Sequence, residues 1–229
     1  MTITPTTLTR AAGAAAVAAG LIFVGVQINH PPSDVTSVAT TEWAVRNSLK
    51  VLMAALALAG ITGMYLRQVK RIGVLGLVGY LVFAAGYLMI LSTAFISAYV
   101  LPSLADTDPG FVGDVLAAGT NGSPTGDIGL LATAIQIQGY AFLAGGLVFG
   151  VALYRARVLA RWAAALLAAG SVLTVALAVL PDAFYRFLAF PNGIAMVGLG
   201  YALWRSTRTG TTTVPTAAPG RRVVGAGVE

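Results

Sequence analysis

Arg46 and Lys50 stand four residues apart, close enough to share one face of a helix, where two cations repel unless anions or acceptors answer them. Glu42 is one turn earlier on that face, and Asp34, Asp106, Asp127 and Asp182 lie in connections that could approach. Two chemistries fit: an ionic cluster that pins helix ends, or a site for an anionic group such as a phosphate or carboxylate. Other polar residues fall at similar depth: Gln27, Asn29 and His30; Asn47; Ser92, Thr93 and Ser97; Gln136 and Gln138; Arg186 and Asn192. From these the candidate ligand-binding set is Arg46, Lys50, Asn47, His30, Gln136 and Asn192. His30 stands beside Asn29 and a Pro31-Pro32 stop, a place for capping or hydrogen bonding rather than for a general base. Gln136 and Gln138, two residues apart, cannot both face one small site on a regular helix, so one is expected to meet a neighbouring helix. Pro191-Asn192-Gly193 offers a kink or, more boldly, a half-helix ligand site, because Pro frees a carbonyl that Asn could satisfy.

Much other chemistry is closed to this chain. It has no Cys and one His, which removes thiolate metal sites, thiol nucleophiles and a bis-His haem within one chain. Neither HExxH nor GxSxG occurs, and Gly119 to Gly126 lacks the Lys-Ser/Thr of a phosphate loop. Asn121-Gly122-Ser123 fits a glycosylation sequon, a pattern short enough to arise by chance. No catalytic residue, metal or cofactor is expected, and a non-enzymatic role follows.

The elements that would position the polar residues are apolar runs. With 57% hydrophobic and 10% charged residues and a mean hydropathy of +0.83, the chain lies far from soluble composition. Six runs, about 11–28, 49–66, 72–100, 128–154, 158–180 and 187–204, are each long enough to cross a bilayer. They lack strand alternation, so they are read as helices: an all-α bundle of six membrane helices arranged as three hairpins, covering 1–205. Arg10, Arg67, Lys70, Arg71, Arg155, Arg157, Arg161, Arg205, Arg208, Arg221 and Arg222 fall on one side, and seven of the eight acids on the other. By the positive-inside bias both termini are cytoplasmic, in a bacterial plasma membrane. The net charge of +6 then points to anionic lipid headgroups and not to nucleic acid. No ionisable residue sits near the middle of a run, which disfavours a proton pump.

Packing is expected along small residues: Gly73, Gly76 and Gly79, the Gly146/Gly150 pair, and Ala163 to Gly170. Similar ends, Gly150 to Arg155 and Gly200 to Arg205, and Val-Leu-Pro at 100–102 and 179–181, are consistent with repeated hairpins or with shared interface chemistry. Asp108-Pro109 followed by Gly119 reads as N-cap, first-turn Pro and C-terminal Gly of a short helix presenting Phe111, Val112 and Val115 as a lid. Residues 206–229, rich in Thr, Pro, Gly and Ala, read as a disordered cytoplasmic tail.

Through Trp204, with Ile-Asn-His-Pro-Pro at 28–32 and Arg-Ala-Arg-Val-Leu-Ala-Arg-Trp at 155–162, the chain resembles uncharacterised six-span membrane proteins of actinobacteria. That resemblance implies a plasma-membrane location and lends no catalytic residue. The reading is a lipid-interacting or accessory membrane protein with an outward polar cluster. A small-solute or lipid transporter using an outer cavity between spans two, three, four and six is the alternative, and a membrane-embedded enzyme ranks third.

Overall fold

A computed structural model describes residues 3–120, 122–177 and 189–207, with the backbone alone for 174–177. Asn121, Asp182, Arg186, the 179–181 motif and 208–229 lie outside the described residues. What is described is helical, without strands. Its long helices are α1 (Pro5–Gly25), α3 (Thr41–Arg67), α4 (Val69–Phe95), α7 (Leu131–Ala156), α8 (Arg161–Leu177) and α9 (Ala189–Arg205). Between them lie α2 (Val35–Val38), a π-helical turn (Ile96–Val100) with α5 (Leu101–Leu104) continuing α4, and α6 (Pro109–Gly119). Among the described residues four segments are long and apolar enough to cross a membrane: α1, α3, α4 through α5, and α7.

Chain neighbours pack antiparallel throughout, α1 on α3, α3 on α4, α4 on α7, α7 on α8 and α8 on α9, and α9 returns to lie along α1. The outcome is a closed ring, in which the packing does not single out three hairpins. Small residues set the distances. A Cβ on Gly79 would lie 2.6 Å from the Phe149 amide nitrogen, and one on Gly86 would lie 2.8 Å from that of Phe142. Gly13 abuts the backbone of Gly200 and Trp204, while Gly193 abuts Gly20 and Val24, so α1 and α9 meet through glycines seven apart on each helix. This is the close-contact association expected where lipid offers no hydrophobic drive. Gly146 and Gly150 face α8 through Ser171, Ala164 and Ala168.

The Gly73-Gly76-Gly79 ladder is not a seam. Gly73 has φ 62°, ψ −167°, with nothing within 4 Å of a Cβ there, and breaks the first turn of α4 from the remainder; the atoms nearest a Cβ on Gly76 belong to Ile72 of the same helix. Gly79 joins Gly86 instead, on the face where Phe83 contacts Gly145. Inside the ring, Phe83, Tyr87, Phe142 and Phe149 pack edge-on or tilted, with Ile61, Leu167 and Leu199 fully buried around them. Val74, Leu81, Leu88 and Tyr140 point outward and are exposed, the inverse of a soluble protein's surface and suited to an apolar solvent.

The two ends of the ring differ in charge. At one end, Arg10 Nε donates to Thr207 Oγ1 (2.8 Å) and Arg67 Nε to Ser206 Oγ (3.3 Å), so the first two residues of the expected tail are tied to α1 and α3. The opposite end carries Asp34, Glu42, Asp114 and Asp127.

Candidate functional site

At the acidic end a cavity of about 240 Å³ opens among α3, α4 with its π turn, α6, α7 and the α1–α2 connection. Each helix gives it one face. Trp43, Asn47 and Lys50 line it from α3 at helical spacing. α4 and its continuation supply Ile90, Thr93, Ala94, Ser97 and Leu101, and α7 supplies Leu131, Ile135 and Gln138. The roof is α6, through Val115, Leu116, Gly119 and Thr120.

Local sequence explains why each wall stands where it does. Thr40 caps α3, its hydroxyl accepting from the Trp43 amide (3.2 Å), so the helix begins at Thr41, eight residues before the apolar run. Arg46, Asn47 and Lys50 are therefore carried within α3. The Trp43 indole N–H donates to the Ser97 carbonyl (2.9 Å) inside the π turn, where the α-helical register is broken and a carbonyl is open to a side-chain donor. Thr93 Oγ1 and Gln138 Oε1, 2.7 Å apart, join α4 to α7 on the cavity wall. For α6 the expected signals hold: Asp108 accepts from the Phe111 amide (3.0 Å), Pro109 opens the helix and Gly119 closes it. Val112, Val115 and Leu116 are buried in a second apolar cluster with Val38, Trp43, Leu101 and Ile128, and Phe111 packs at its edge.

His30 Nδ1 lies 2.8 Å from the Pro31 carbonyl, and Nε2 lies 3.0 Å from Lys50 Nζ. A carbonyl can only accept, so Nδ1 carries the proton and Nε2 accepts from the Lys50 ammonium. The imidazole also stands edge-on to Trp43, with centroids 5.9 Å apart. Asn47, 3% exposed, donates Nδ2 to the Trp43 carbonyl (3.0 Å). Among the described residues no carboxylate lines the cavity.

Two acids at this end are held ionised by their surroundings. Backbone hydrogen bonding from Ser37, then the Thr36 hydroxyl, lowers Asp34 below the usual carboxylate range as it caps α2. Asp114 on α6 is lowered chiefly by the Thr125 amide (2.6 Å), with further bonds from the Thr125 hydroxyl and the Gly126 amide. Asp114 thereby ties the return loop to the roof helix.

The six sequence candidates divide. His30, Asn47 and Lys50 meet on the cavity wall. Arg46 points away from it: its Nη1 donates to the carbonyls of Val26 (3.1 Å) and Ile28 (2.9 Å) past the end of α1, and it pairs with Glu42 at 2.8 Å. The expected reach of Asp34 and Asp127 toward Arg46 and Lys50 is not made, because their recorded partners are local, Ser37 and Thr36 for one and the Gly129 amide for the other. Gln136 is exposed, away from the cavity, and Gln138 takes the inward position. Asn192, 2% exposed, sits against Gly170 of α8 and not in the cavity, with Oδ1 lacking a hydrogen-bond partner. Span six thus adds nothing to this wall among the described residues. Trp43, Thr93, Ser97 and Gln138 complete the site. The 43-47-50 spacing could have revealed Trp43, and Pro102 is the one residue that signals a break of helical register near the π turn.

Among the described residues no three His, Asp or Glu side chains converge as metal ligands would. The class defined by these observations is an all-helical protein with membrane-type helices and a capped polar cavity at one end. Compared with family models, curated proteins and solved structures, the chain matches none.

Proposed function

We propose that the chain is a six-span protein of the bacterial plasma membrane, rising and returning in three pairs with both termini cytoplasmic, and that its outward cavity binds an anionic group. It acts as a binding or accessory component and not as an enzyme. The observation that carries this reading is the Lys50 ammonium, 3.0 Å from His30 and beside Asn47, on a cavity whose other polar walls, among the described residues, are hydroxyls and amides. A phosphate or carboxylate satisfies that set, from a lipid headgroup or from a solute. Sidedness rests on the basic end tied by Arg10 and Arg67 and on the acids gathered at the other. The likeness to six-span actinobacterial proteins fits the same placement.

Transport of the bound group is the second reading. Against it stands the aromatic packing of Phe83, Tyr87, Phe142 and Phe149 within the ring, together with fully buried Ile61 and Leu199, which supply no polar track toward the basic end.

The test is native mass spectrometry of detergent-purified protein, wild type against Lys50→Gln, with melting measured on both. An anionic molecule retained by wild type and lost from the variant, at similar melting temperature, is expected. Equal retention by both would remove Lys50 from the binding role.

A further inference from the structure

The cations of the basic end divide by what holds them. Arg10 and Arg67 donate to Thr207 and Ser206, and the Arg161 guanidinium lies 4.3 Å from the Tyr154 ring centroid. Lys70, Arg71, Arg155 and Arg157 are exposed, and among the described residues their side chains make no hydrogen bond or ion pair. These four gather on one edge of the ring. α4 and α7 run antiparallel with Gly86 at Phe142, Phe83 at Gly145 and Gly79 at Phe149, and that register, carried on, brings Arg155 level with Gly73. Gly73 sets the first turn of α4 off from the rest, and Lys70 and Arg71 ride on that turn while its Ile72 is buried. Each helix so contributes two cations at about the same depth.

No described carboxylate answers them, because Asp34, Glu42, Asp106, Asp108, Asp114 and Asp127 stand at the opposite end. Asp182 is within about 18 Å of chain from Leu177, whereas α8 is about 25 Å long from Arg161, so Asp182 does not reach the basic end either. Beyond Arg205 the sequence holds Glu229 against Arg208, Arg221 and Arg222, a further excess of positive charge. Within a turn of the cations, Val69 and Val74 of α4 and Val151 and Tyr154 of α7 are exposed. Unanswered charge therefore borders bare hydrocarbon on both helices. A phospholipid answers both at once, with phosphate for the cations and chains for the apolar surface.

We infer that this edge holds a diphosphatidyl lipid of the cardiolipin type, its two phosphodiesters at Lys70, Arg71, Arg155 and Arg157 and its acyl chains along the exposed apolar residues of α4 and α7. A phosphodiester carries one negative charge, so two in one molecule answer these cations better than one. The second also binds at the high effective concentration set by the first. The inference rests on the membrane reading of the long helices and not on the outer cavity.

Native mass spectrometry of the full chain in dodecyl maltoside, titrated with cardiolipin, phosphatidylglycerol, phosphatidylethanolamine and hexaglutamate, tests it. Wild type should take cardiolipin at least about tenfold more tightly than phosphatidylglycerol, and neither phosphatidylethanolamine nor hexaglutamate should displace it. Arg155→Gln with Arg157→Gln should weaken cardiolipin at least about tenfold at unchanged melting. Arg10→Gln with Arg205→Gln removes the same charge from α1 and α9, across the ring, and should leave cardiolipin binding as in wild type, as should Lys50→Gln in the cavity. Equal weakening by the two arginine pairs would assign binding to net charge and overturn the inference. Should the Arg155 and Arg157 variant not fold, wild-type selectivity decides: cardiolipin no tighter than phosphatidylglycerol, or displaced by hexaglutamate, overturns it. Release of the chain from membranes by alkaline carbonate would remove the membrane reading itself, whereas a chain that stays in the membrane and shows no cardiolipin preference removes this inference alone.

Discussion

Replacing Gly79 by Ala asks whether backbone contact between α4 and α7 holds the ring together. The new methyl would sit 2.6 Å from the Phe149 nitrogen and 2.8 Å from its Cα, and backbone atoms inside a helix cannot swing aside as a side-chain tip can. The helices must separate by several tenths of an ångström, loosening the aromatic layer at Phe83 and Phe149. Overpacking of this kind costs about 1–3 kcal/mol. Gly139→Ala on α7 is the matched control, since nothing lies within 4 Å of a Cβ there. It should stabilise by about 0.5–1 kcal/mol through reduced backbone entropy of the unfolded chain. The assay is reversible unfolding in mixed sodium dodecyl sulfate and dodecyl maltoside micelles, followed by circular dichroism. Opposite signs are expected. If both alanines moved stability in the same direction by the same amount, close approach at Gly79 would not be what organises the seam.

Other outcomes follow from the site's geometry. Arg46→Gln removes the donor to two carbonyls beyond α1 and the partner of Glu42, and should lower stability by about 0.5–1.5 kcal/mol in the same unfolding assay, while anion retention in native mass spectrometry stays as in wild type. Trp43→Phe leaves the Ser97 carbonyl without its indole donor; a loss of about 1–3 kcal/mol is expected, with faster amide exchange over 96–100 by mass spectrometry. Asp114 has a folded-state pKa below its unfolded value, so its hold on the return loop is complete above the unfolded value and fades as pH falls through the folded one. Exchange protection of the Thr125 and Gly126 amides should therefore exceed that of Asp114→Asn at neutral pH, and the two proteins should converge in strong acid.

The sequence carried the apolar runs, the split of charge between the ends and the whole of α6, because caps and first-turn Pro act locally. The start of α3 was not legible in hydropathy: Thr40 caps a turn that holds polar residues, so the helix outruns its apolar part. Arg46 and Lys50 shared a face as expected and still parted company, since a guanidinium on a long stem reaches the α1 carbonyls while the shorter ammonium reach finds His30. Which of Gln136 and Gln138 turned inward depended on the rotation of α7, set by glycine contacts far along it. Asn192 was placed in the outer cluster by depth alone, and depth does not tell which neighbour a helix faces. The π turn lies just before Pro102, whose missing N–H cannot continue the α-helical ladder, while its bond from Trp43 to the Ser97 carbonyl is a tertiary contact that the sequence does not show.

Sidedness is the claim on which an outward cavity depends, and the natural absence of Cys makes it directly measurable. Single cysteines at Thr107, exposed beside α6, and at Ala156, at the end of α7 on the basic side, should behave oppositely toward an impermeant maleimide. On intact cells Thr107→Cys should label, and Ala156→Cys should label only after permeabilisation. Labelling of Ala156→Cys from outside, with Thr107→Cys protected, would turn the cavity to the cytoplasm and contradict the account.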